Sequence, residues 1–261
     1  MNSKRLILLA IFGLLSLSGE ASAKNWILEM HPGYNLKFSS SDKDHVKEYK
    51  DLVDNGIVVV TSFFTTPFPQ LFAVIIHPDR HSLDSTWQKD WNIPGFKSEC
   101  WMVASGVASW LNMLSPKTWD NASCEHSYKE IRKTQQVITH ELVHVYHGQF
   151  NASPDFGNTE GIDWFVEGLA TYASGQCDSV RIAEVKNAIF NKKIPGSLDE
   201  FWTGKLRYGL SGTVVMYIDN IYGRERLKQL LPFNKKSSLL SALKLTETEL
   251  LEKWKAYMLN I

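Results

Sequence analysis

Near the middle of the chain, the run His140-Glu141-Leu142-Val143-His144 sets two imidazoles and a carboxylate close together. On a helix, residues four apart lie one turn apart on one face, so both rings can reach a single metal ion. Glu141 stands beside them, placed to exchange a proton with water at that metal. Leu142 and Val143 are apolar, as the core-facing side of such a helix should be. Chance alone produces this pattern in about one chain in a hundred of this length. Two histidines do not complete a catalytic zinc site, which takes three protein ligands and keeps one position open for water.

Two sources of a third ligand can be compared. In the metzincin pattern a Gly and a third His follow on the same stretch, but those positions here hold His147 and Phe150. The alternative is a glutamate on the next helix. The run Asp163-Trp164-Phe165-Val166-Glu167-Gly168-Leu169-Ala170-Thr171-Tyr172 supplies Glu167. Its apolar neighbours call for burial, so its charge needs a partner, and Zn²⁺ would provide one. His140, His144 and Glu167 are therefore the expected metal ligands, with Glu141 as the general base. His147 is expected on the helix surface or against substrate. His31, His77, His81 and His126 lack ligand spacing and read as ordinary histidines.

These residues resemble the gluzincins, zinc metallopeptidases with His-Glu-x-x-His and a downstream Glu ligand. The element from Trp164 to Tyr172 is similar to the W-x-x-E-G-x-A-x-Y run of collagenase catalytic domains and small bacterial gluzincin-like domains. Resemblance extends over residues 136–174, weakens over the C-terminal helices, and is faint over the first hundred residues. It implies a zincin-like fold and peptide-bond hydrolysis. It also implies a tyrosine or histidine donor for the oxyanion, and Tyr208 is the first choice, with Tyr172 and His147 as alternatives. One departure concerns the residue four after the Glu ligand. Thermolysin-like relatives carry there an Asp that orients a zinc histidine; here it is Thr171, so another acceptor serves or zinc is held less tightly.

The elements that must position this site divide into two halves. Short apolar runs at 57–60, 71–76 and 101–114, bounded by Pro67, Pro69, Pro78 and Pro94, read as strands, with a polar helix at 44–53 before them. Residues 128–149, 161–174, 209–222 and 247–259 read as helices, the third stopped by Gly223. Strands first and helices after predict an α+β fold, a small mixed sheet packed on a C-terminal helical lobe that carries the active-site helix. A strand within 57–114 would bind substrate by edge pairing.

Composition excludes other classes. The chain has 261 residues, 44% of them hydrophobic, and formal net charge +0, which gives no reason to expect nucleic acid or an anionic membrane as partner. Lys4 and Arg5, the apolar stretch 6–17 and Ala21-Ser22-Ala23 have the layout of a signal peptide cleaved after Ala23. One domain spanning 24–261, secreted or periplasmic and without a transmembrane segment, is the expectation. Outside the cytosol two of Cys100, Cys124 and Cys177 would pair. Cys100 with Cys124 is the closest pair, closing a loop for about 3 kcal/mol, though three pairings and three free thiols all remain open. Asn121 and Asn151 head glycosylation sequons. The rival in function is a binding or inhibitory module that keeps zinc as a structural prop. Glu141 argues against it, since a structural site has no use for a base.

Overall fold

The structure is a computed structural model that describes residues 25–261. The expected signal segment lies outside the described residues. Chain order begins with a hairpin, β1 (Trp26–His31) and β2 (Tyr34–Ser39), turned at Pro32-Gly33. Helix α1 (Val46–Phe64) then crosses to β3 (Phe72–His77), and α2 (Arg80–Asp90) and a long loop lead to β4 (Ala104–Val107) and β5 (Trp110–Leu114). Eight α-helices follow among the described residues. They are α3 (Trp119–Ala122), α4 (Ile131–Phe150), α5 (Asp163–Ala173), α6 (Ser179–Phe190), α7 (Arg207–Tyr222), α8 (Arg224–Leu230), α9 (Lys236–Leu243) and α10 (Glu247–Asn260). The fold is α+β, a five-stranded mixed sheet beside a helical lobe, in the order β1-β2-β3-β5-β4. The central pairs β2–β3 and β3–β5 are parallel, and the two outer pairs are antiparallel.

One expected strand is a helix. Ile57-Val58-Val59-Val60 belongs to α1, whose buried residues Tyr49, Leu52, Val53, Gly56, Val60 and Phe64 recur at helical spacing. Val58 and Val59 point outward, 62% and 41% exposed. Packing of α1 against α4 outweighs the β preference of three consecutive valines, which is a weak and context-dependent quantity. The run 101–114 holds two strands around a turn, and the β1–β2 hairpin and α2 were not expected at all.

Two close approaches set the site in place. A Cβ on Gly106 of β4 would collide with the carbonyl oxygen of Glu141, so only glycine lets the outer strand lie directly on α4. A Cβ on Gly168 would likewise strike the Ser211 carbonyl, so α5 and α7 cross backbone to backbone. The main core runs from the sheet through α4, α5 and α7 to Trp254 of α10. A smaller cluster of Leu83, Trp87, Val103, Leu114 and Trp119 lies behind β4. A Cys100–Cys124 disulfide ties the adjoining loop, and Cys177 is a free thiol. Among the described residues no helix is long and apolar enough to cross a membrane.

Candidate metal centre

Helix α4 presents His140 and His144 on its cleft face and buries Leu142 and Val143 on the other, as the i, i+4 spacing requires. Helix α5 brings Glu167 opposite them, flanked by buried Phe165, Val166, Gly168 and Leu169. The three side chains converge on one point. His140 Nε2 and His144 Nε2 are 3.1 Å apart, and Glu167 Oε2 lies 3.3 Å from the first and 3.6 Å from the second. Tetrahedral ligands at about 2.0–2.1 Å from a zinc ion stand about 3.3–3.4 Å from one another. The donor set and its spacing both fit that ion.

The tautomer of His140 agrees. His140 Nδ1 is 3.1 Å from Gln176 Oε1, an acceptor, so this nitrogen carries the proton and Nε2 keeps its lone pair for the centre. Gln176 thus stands where the missing carboxylate was sought. Thr171 does not serve; it is fully buried and its Oγ1 has no hydrogen-bond partner in the structure. Gly175, at φ +75°, turns the chain back after α5 and delivers Gln176 to the histidine. That glycine was the one sequence signal of the reversal.

The carboxylates differ in electrostatics. Burial alone would raise Glu167, but the charge of His144 and the hydrogen bonds of both histidines hold it well below the usual carboxylate range. Burial pushes Glu141 up to about 7, with Glu167 adding to the rise and His140 and a backbone hydrogen bond at Gly106 opposing it. A carboxyl poised near neutrality can both take and return a proton.

These groups face a cleft of about 660 Å³, ordinary for a ligand site. Its walls include Ala104–Val107 of β4, Phe156, Gln176, Arg181, Trp202 and Tyr208. The Tyr208 ring centroid is 6.1 Å from that of His140, and burial pushes its hydroxyl up to about 12, so it remains a donor. The two alternative donors lie elsewhere. Tyr172 gives its hydroxyl proton to Asp219 Oδ2 at 2.9 Å. His147 corrects its expectation: it is wholly buried, not on the surface, packed against Phe156 and Phe165 with Nε2 3.3 Å from Asn151 Nδ2. Burial lowers it to about 3, which keeps it neutral. Asn151 in turn donates to the carbonyls of Leu231 and Phe233, so this sequon asparagine is spent inside the fold.

No protein-family model matches the chain, and no curated protein does. Among solved structures it is similar to an M1 zinc metallopeptidase from Deinococcus radiodurans. Identity is 14% and the TM-score 0.42, over 87% of this chain and 46% of that one. A two-domain M1 zinc metallopeptidase mutant bound to L-arginine gives 14% and 0.43, over 89% and 50%. This chain thus spans about half the length of those enzymes, and overlap at this level does not transfer an activity.

Proposed function

We propose that the chain is a gluzincin-type zinc peptidase, exported and acting as one domain, that hydrolyses peptide bonds. The observation that carries this is the convergence of His140 Nε2, His144 Nε2 and Glu167 Oε2 at tetrahedral-ligand spacing, at the floor of a cleft that Glu141 shares. Zn²⁺ held there would acidify water and polarise a substrate carbonyl. Glu141 takes the proton released by the attacking water and hands it to the departing amine. The Gly106 backbone, hydrogen-bonded to Glu141, keeps that carboxylate oriented. Strand β4 is one of the two edge strands of the sheet, so its backbone groups not engaged with Glu141 offer an extended peptide main-chain hydrogen bonds with little demand on side chains. Tyr208 donates to the oxygen on which negative charge grows, and exclusion of water from the cleft strengthens that bond.

A binding module with structural zinc fits less well. Structural sites are closed by four protein ligands, whereas three converge here beneath an open cleft. Digestion of a peptide library by the purified protein, with and without a chelator, decides the matter. Cleavage that stops on chelation and returns with zinc is the expected outcome. Absence of any cleavage by zinc-loaded protein would favour the binding module.

A further inference from the structure

The cleft is polarised along its length. Phe156, whose ring centroid is 6.1 Å from that of His144, marks one end, and Asp155 lines the cleft beside it. Tyr208 marks the other end, next to His140, and two guanidiniums attend it. Arg181, which lines the cleft, lies 5.8 Å from the Tyr208 ring centroid, and Arg207, hydrogen-bonded to the Tyr208 side chain, 5.2 Å. Arg207 is also 5.1 Å from the ring of Trp101 and 5.3 Å from that of Trp202, so the disulfide-tied loop and the helical lobe meet across it.

Neither guanidinium is in an ion pair among the described residues. Arg181 donates to the Gln176 carbonyl at 2.7 Å. Its neighbour Asp178 uses a carboxylate oxygen to cap α6 through the Arg181 backbone N–H. Glu125 also lines this end, but it is exposed and its field is screened. A planar fork held against aromatic rings and left without a carboxylate is preorganised to receive one.

The direction of β4 says which part of a peptide arrives there. Gly106 lies abreast of Glu141, and Ala108 lies abreast of Gly148 and bonds to the Pro154 carbonyl. The strand therefore runs from the Trp101–Arg207 end toward Asp155. A peptide added antiparallel, the more stable pairing, runs the opposite way, with its later residues toward the guanidiniums. We propose that Arg181 and Arg207 form a carboxylate-reading subsite on the C-terminal side of the scissile bond. The carboxylate is that of a free C-terminus or of an aspartate or glutamate side chain. This rests on the peptidase reading above and adds a substrate class to it.

The test measures binding and turnover separately. Zinc-loaded Glu141→Gln protein is titrated with an acetylated alanine pentapeptide as free acid, as C-terminal amide, and as amide with one later alanine replaced by glutamate or by glutamine. Free acid or glutamate peptide should bind about ten- to a hundredfold more tightly than its neutral counterpart, the range for hydrogen bonds to charged groups. The free-acid arm and the glutamate arm tell the two sources apart. Arg181→Gln and Arg207→Gln should each shrink the preference, Arg207→Lys should restore only part of it, and Arg181→Glu should shift it toward a lysine-bearing amide. Equal affinity for charged and neutral peptides, or no binding of any, overturns the subsite, and turnover of the same peptides by wild-type protein makes the comparison without a variant. Cleavage without carboxylate preference leaves the peptidase and removes the subsite. Carboxylate preference without cleavage does the reverse.

Discussion

Among the described residues, the buried histidines of the sheet and of the cleft are satisfied in opposite ways. Behind the sheet, His77 places Nδ1 3.1 Å from Ser82 Oγ and Nε2 3.0 Å from Asn112 Oδ1, and Asn112 passes a hydrogen bond to Asp90 Oδ2 at 3.2 Å. Donors and acceptors alternate out to the exposed Asp90, so each buried group is answered within the protein and no ligand is required. In the cleft, two imidazole nitrogens and a carboxylate oxygen, each an atom that can ligate a metal, converge within 3.1–3.6 Å of one another. With all three deprotonated, a cation is what answers them together. Both clusters are rich in buried histidine; it is the matching of donors to acceptors that separates a structural network from a candidate metal centre.

The largest effects should come from the cleft. Purified protein should contain about one zinc per chain. His144→Ala and Glu167→Ala should each lose most of it by elemental analysis, while His77→Ala keeps it. Full retention by Glu167→Ala would remove the third ligand and erase the distinction between the clusters. Glu141→Gln should keep zinc and lower turnover by about 10²–10⁴-fold, the usual share of a positioned base. Tyr208→Phe, which deletes only a hydroxyl, should lower turnover by about 10²–10³-fold with zinc content and substrate affinity little changed.

Smaller effects probe the supporting atoms. Gln176→Ala should weaken zinc binding by about 10–100-fold in chelator competition, whereas Thr171→Val, whose hydroxyl touches no partner, should leave it unchanged. A pH series on metal-stripped protein tests Glu141. Burial raises its carboxyl to about 7 in the fold, so the stability it contributes is complete below the ordinary carboxylate range and is lost as pH rises through about 7. That loss should reach about 3 kcal/mol at most and vanish in Glu141→Gln. His77→Ala, by breaking its network, should cost about 1–3 kcal/mol in denaturant unfolding, the penalty for unpaired buried polar groups. A larger loss of zinc than of stability in that variant would contradict the contrast drawn above.

The parts legible in the chain were those whose geometry is local. His140, Glu141 and His144 share a helix face because four residues make about one turn. Glu167 could be found because a carboxylate in an apolar helix must be paired. His147 defeated the same logic: it follows His140 by two helical turns, and only the seating of Phe156 and Phe165 over the end of α4 buries it. The valines of α1 misled because strand preference is a property of surroundings as much as of side chains.

In the amino-acid sequence alone the His-Glu-x-x-His spacing, the helical run around it and the α+β order of elements were legible, since each follows from spacing along one element or from the order of elements. Tertiary structure alone decided that Gln176 steadies His140, that β4 with Gly106 walls the cleft, that Cys100 pairs with Cys124, and that Arg181 and Arg207 meet at Tyr208. Those contacts join residues on different elements. Their distances are set by how helices and strands pack, which no periodicity within one segment encodes.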